Sequence, residues 1–182
     1  MDLMLLRLFQ RQVADNCKVA LHGVEVMNHG LTTSNQDAIW VGVPILLTGA
    51  ANAAKALWGQ KGKLAAEREA LRLSLEVDDT SPLKDVDMRN NFEHYDERLD
   101  RWWIERPKHI HVDRVVGPPN TVGGVDDKDR FRAYDTTTHD IIFWGERFNV
   151  QAIVTELSRI QPIAEREATR PHWPEHPGPN AK

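Results

Sequence analysis

Near the middle of the 182-residue chain, the run Arg89-Asn90-Asn91-Phe92-Glu93-His94 brings together a permanent cation, two amides and a base that titrates near neutrality. This is a sufficient set for cleaving an RNA phosphodiester. An imidazole can take the proton of a 2′-hydroxyl or return one to the departing oxygen. A guanidinium offers fixed donors to a phosphate whose charge grows as five-coordinate phosphorus forms. Asn90 can position a phosphate oxygen or hold the imidazole. Because the substrate supplies its own nucleophile, no metal or other cofactor is needed. On an ideal helix Asn90 and His94 stack one turn apart, with Asp87 and Arg98 extending the stripe. Arg89 lies about 140° around from His94, so the pair meets only through a kink or helix start at the motif, or across a dimer. The bland account is an exposed ion-pair ladder through Arg89, Glu93, Glu97 and Arg101. Asp85, Asp87, Glu93, Asp96 and Glu97 add negative charge that must turn away or be paired before a phosphate can approach.

Other residues invite weaker chemistry. His109, His111 and Asp113 alternate, so a strand would project all three from one face, where with His139 or Asp140 they form a possible metal site. The ordinary solvent face of an amphipathic strand explains them better. Trp102 and Trp103, flanked by Arg101, Arg106 and Lys108, can stack bases beside phosphates or plug the core at a helix end. His22 and His29 share a face of the first helix. Gly117-Pro118-Pro119 and Gly123-Gly124 lack phosphate-loop spacing. Cys17 lies in an apolar-periodic run and reads as a core side chain.

The elements that must hold the motif are mostly helical. Leu5, Leu6, Phe9, Val13, Cys17, Leu21 and Val24 recur at three and four residues, predicting a helix from Leu3 to about His29 that stops at Asn28-His29-Gly30. Ser34 and Asp37 match a capping box for a second helix, from about Asn35 to Trp58, in which Pro44 should impose a kink or interruption. Gly49, Ala50, Ala51, Ala53 and Ala54 offer a small-residue face for close approach. A third helix is expected from Lys63 to Leu75, with Leu64 inward and Arg72 outward. The fourth should carry the motif, from about Pro82 or Val86 to Glu105. After Pro107 the period changes, and strands are expected at 109–113, 130–134 and 140–144. Helical spacing returns from Asn149 to Arg166, blurred at Pro162. The expected fold is therefore one domain over residues 1–170: a mainly α, up-and-down bundle of four to five helices, with a small antiparallel β insert at about 107–148 before the last helix. Residues 171–182 read as a flexible Pro-rich tail.

The totals narrow the function classes. Net charge is −4, which argues against general coating of duplex DNA and requires any nucleic-acid site to be a local basic patch. A single cysteine, with no signal peptide and no twenty-residue apolar run, points to a cytoplasmic protein with no membrane association.

The segment Arg89-Asn90-Asn91-Phe92-Glu93-His94, with Tyr95-Asp96-Glu97-Arg98-Leu99-Asp100 after it, resembles the motif of the HEPN superfamily: an arginine, four to six residues, then a histidine, with a polar residue commonly following the arginine. The resemblance implies a helical up-and-down bundle, usually a homodimer with the two motif helices facing each other across a cleft. It further implies a metal-independent endoribonuclease of the toxin–antitoxin or defence type, with Arg89 and His94 as the catalytic pair, Asn90 in support, and an antitoxin or other protein partner. The β insert departs from a minimal member. Two rival expectations stand beside this one: a non-catalytic module binding a protein or nucleic acid, and a metal-dependent hydrolase using the insert histidines.

Overall fold

The computed structural model describes residues 1–119 and 121–172. Two long helices, α1 (Leu3–Thr32) and α2 (Gln36–Trp58), form the central pair, and α6 (Val150–Ala168) packs along α1. Between them run the short helices α3 (Glu69–Ser74), α4 (Asp87–Glu93) and α5 (Tyr95–Glu105). Four strands precede α6: β1 (Val115–Gly117), β2 (Arg132–Asp135), β3 (Asp140–Phe143) and β4 (Glu146–Asn149). The described residues are thus mainly helical, with six α-helices rather than the expected four to five. The sheet is mixed rather than antiparallel. Strand β1 pairs parallel to β2 with Val115 opposite Ala133, while β2–β3 and β3–β4 are antiparallel hairpins. The expected tail falls largely on residues 173–182, outside the described ones.

The α1–α2 seam is made by small residues. A methyl group added to Gly49 would lie 2.5 Å from the Ala20 amide nitrogen, and one on Gly42 would lie 2.5 Å from the Gly23 carbonyl oxygen. Hence α1 does not stop at Gly30: that glycine sits inside the helix, where a side chain would strike Asn35 and Ile39. The cap of α2 is Asn35, whose side chain accepts from the Ala38 amide, not Ser34. Helix α2 continues through Pro44. By length and composition, Gln36–Gly62 is apolar enough to cross a membrane, but 61% of that window is buried inside the molecule, as in a core helix. Val13, Cys17, Val43, Leu46, Leu57, Leu157 and Ile160 fill the core between these helices. Burial, reinforced by Glu156, pushes the Cys17 thiol up to about 12, so it stays an inert apolar group.

Two further expectations are corrected. Residues 63–68 form turns, and only Glu69–Ser74 is α-helical. Leu64 is exposed, whereas Arg72 turns inward and donates to the carbonyls of Leu57 and Ala65. Residues 109–113 do not make a strand: Val112 forms an isolated bridge to Arg130, and both His109 and Arg114 have positive φ.

The sheet turns Phe131, Ile141, Phe143 and Phe148 toward the core. Phe92 of α4 and Tyr95 of α5 lay their rings on Phe143, at 5.4 and 6.2 Å between centroids, and Tyr95 also meets Phe131 edge-on. These aromatic contacts seat the motif segment on the sheet.

Candidate functional site

The motif helix, expected from about Pro82 or Val86 to Glu105, is divided at His94, whose φ and ψ of −101° and 38° end α4 and begin α5; a kink at the motif is one of the ways offered above for Arg89 and His94 to meet. Hydrogen bonding persists on either side: the His94 amide donates to the Asn90 carbonyl at 3.0 Å, and the Arg98 amide to the His94 carbonyl at 3.1 Å. The imidazole therefore stands at a joint. Helix α4 is anchored behind it by buried Leu83 and Met88, and the Asp87 amide donates to the Asp85 carboxylate. In front, Trp102 closes the core end of α5.

The two asparagines point to different tasks. Asn91 is buried, donating to the Glu146 carboxylate of β4 at 2.6 Å and accepting from Arg98 Nε at 3.0 Å. Asn90 instead lines an open groove of about 860 Å³ with Arg89, His94 and Arg98. The opposite wall comes from the end of α2 and the turn after it, including Lys55, Trp58 and Lys61, and Lys84 sits at one end. That turn bends sharply, with Gly59 and Lys61 both at positive φ.

Five permanent cations line the groove against the carboxylates of Glu93 and Glu97. This is a local basic patch on a chain of net charge −4. Asp85, Asp87 and Asp96 are not in its lining. Lys84 is paired with Asp79 at 3.2 Å, and the Asp79 carboxyl is held below the usual carboxylate range by hydrogen bonds from Trp58 and Lys84. Lys55 and Lys61 have no ion-pair partner among the described residues. The two acids hold the motif pair at rest. Arg89 Nη2 lies 2.5 Å from Glu93, and its Nη1 donates to Asn90 Oδ1 at 3.1 Å. His94 Nδ1 lies 3.4 Å from Glu97 with the ring half exposed.

Such an arrangement can receive a phosphate. The Arg89 guanidinium can exchange Glu93 for an incoming anion, the unpaired lysines can attract further negative charge, and His94 has a ring nitrogen off Glu97 that can move a proton. The spacing of Arg89, Asn90 and His94 singled out three residues of this groove. Lys55, Lys61 and Lys84 were not legible, since only the fold places residues so distant in sequence around one opening. The Asn91–Glu146 bond was equally hidden.

The other candidate residues are not brought to this site. His109 stacks flat on exposed Trp103 at 3.6 Å, His111 meets the edge of buried Trp102, and Asp113 forms a bidentate pair with Arg132. No cluster of three metal-ligating side chains occurs among the described residues, so the expected His109–His111–Asp113 face does not assemble. His22 pairs with Glu25 on the exposed side of α1, and neither it nor His29 lines the groove. No protein-family model, curated protein or solved structure matches the chain.

Proposed function

We propose that the protein is a metal-independent endoribonuclease of the HEPN type, cutting RNA by attack of a 2′-hydroxyl on the adjacent phosphate. One observation carries the proposal: Arg89, Asn90 and His94 all line a single open groove whose other cations suit a phosphate backbone. In the reaction His94 accepts the 2′-hydroxyl proton as the 2′-oxygen bonds to phosphorus. Arg89, released from Glu93, neutralises the equatorial oxygens, and Asn90 steadies one of them. The bond to the 5′-oxygen breaks, that oxygen takes up a proton, and a 2′,3′-cyclic phosphate remains. In this reading the chain is an up-and-down bundle working as a homodimer in the cytoplasm. The second copy's groove faces the first, its imidazole is available for the leaving oxygen, and an antitoxin or other protein partner controls access.

Purified protein is expected to cleave single-stranded RNA in the presence of a chelator. His94→Ala and Arg89→Ala should each lower the rate by about a hundredfold or more. Undiminished cleavage by His94→Ala would rule the reading out. The resting ion pairs of Arg89 with Glu93 and His94 with Glu97 favour a second reading, in which the groove binds RNA without cutting it. Salt-sensitive RNA binding with no product from any substrate would select that one.

A further inference from the structure

A second cavity, of about 230 Å³, opens beside the groove, and the Arg89–Glu93 ion pair forms the shared wall. Its other walls are the Trp40 and Phe92 side chains, Pro44 and Arg132, with Thr48 exposed at the mouth. The volume falls below the roughly 300 Å³ at which sites for drug-sized ligands begin, and suits a single ring system. We propose that this cavity receives the nucleobase next to the phosphate held in the groove, and that it selects guanine. The inference rests on the groove being an RNA phosphate site.

The chemistry of the shared wall decides the base. Glu93 has one carboxylate oxygen on Arg89, and the other has no partner among the described residues. An ionised carboxylate only accepts. Guanine alone presents two adjacent donors, the ring N1–H and the 2-amino group, to such an acceptor. Adenine and cytosine place a ring acceptor beside the amino group, and uracil flanks its N–H with carbonyls, so each opposes lone pairs to the carboxylate. Next to Glu93, the buried Arg89 Nε has no hydrogen-bond partner among the described residues. Guanine O6, adjacent to N1, is an acceptor that arginine commonly takes. Trp40, Phe92 and Pro44 supply apolar contact to a ring without selecting among bases. Glu93 is then more than a resting partner of Arg89: it passes from the guanidinium to the base as the phosphate takes its place.

Calorimetric titration of the full chain with 5′-GMP, 5′-AMP, 5′-UMP and 5′-CMP tests this directly. The wild type is expected to bind 5′-GMP about tenfold or more tightly than each of the other three nucleotides. Thr48→Trp, a change at an exposed position that fills the mouth, should abolish the preference while circular dichroism shows the fold unchanged. Binding of 5′-AMP or of either pyrimidine nucleotide within about twofold of 5′-GMP, or an unchanged 5′-GMP affinity in Thr48→Trp, would overturn the proposal. RNA cleavage without base preference would remove the guanine site and leave the nuclease. Guanine-selective binding without cleavage would leave the site and remove the nuclease.

Discussion

Along the α1–α2 seam the two backbones touch, at Gly49 against Ala20 and at Gly42 against Gly23. The α4–α5 segment, by contrast, is attached through side chains: Phe92 and Tyr95 on the sheet aromatics, and Asn91 between Glu146 and Arg98. Backbone-to-backbone packing leaves no alternative arrangement within reach. Side-chain attachment permits a broken helix, an exposed imidazole and ion pairs that a ligand can replace. Close backbone packing and the candidate site thereby fall in different parts of one small molecule.

The largest expected effect falls on the seam. Gly49→Val should destabilise the protein by about 3 kcal/mol or more in urea unfolding, because the added carbons meet backbone rather than a movable side chain. Gly49→Ala sharpens the point, since helix propensity alone favours alanine by about 1 kcal/mol. A net loss of stability is expected nevertheless, and a gain would show that the seam can open. A smaller effect, about 1–3 kcal/mol, is expected for Asn91→Ala, which strips two partners from a buried position. RNA turnover should fall with it as α5 loses its tie to β4. Equal losses of stability at Gly49→Ala and Asn91→Ala, with turnover untouched in both, would erase the distinction between the two regions.

The smallest effect is a pH dependence confined to the sheet. Burial acts to raise the Asp135 carboxyl, but the amides of Thr137 and Thr138 and the Arg147 guanidinium outweigh it and hold it below the usual carboxylate range. A group depressed in the folded state stabilises fully above its unfolded value and loses that contribution as pH falls through the folded one. Asp135 should therefore support the fold at neutral pH and cease to do so progressively below about pH 4. Urea midpoints measured between neutral and acid pH should fall less steeply for Asp135→Asn than for the wild type.

The long helices α1, α2 and α6 were readable because their buried stripes repeat over many turns. A kink at the motif was one of the alternatives that the spacing of Arg89 and His94 offered, but its position at His94 was not readable. Glu93, His94 and Tyr95 include neither glycine nor proline, and the interruption accompanies the seating of both Phe92 and Tyr95 on Phe143. Alternation at 109–113 predicted a strand, yet a left-handed residue at each flank, His109 and Arg114, takes the chain out of register. Strand β4 escaped notice because its four residues carry one buried aromatic, Phe148, and run straight into α6. The parallel pairing of β1 with β2 was equally hidden, because it depends on how the chain returns outside either strand. The motif trio was legible as chemistry, but the lysines opposite it were not, because proximity across a groove leaves no trace in spacing.

Strand β4 ends at Asn149 and α6 begins at Val150, with no residue between them. The first residue of that strand, Glu146, holds Asn91, and the helix after it lies along α1. A shift of the motif segment would therefore be passed through Glu146 to the start of α6, and so to α1, along which that helix lies.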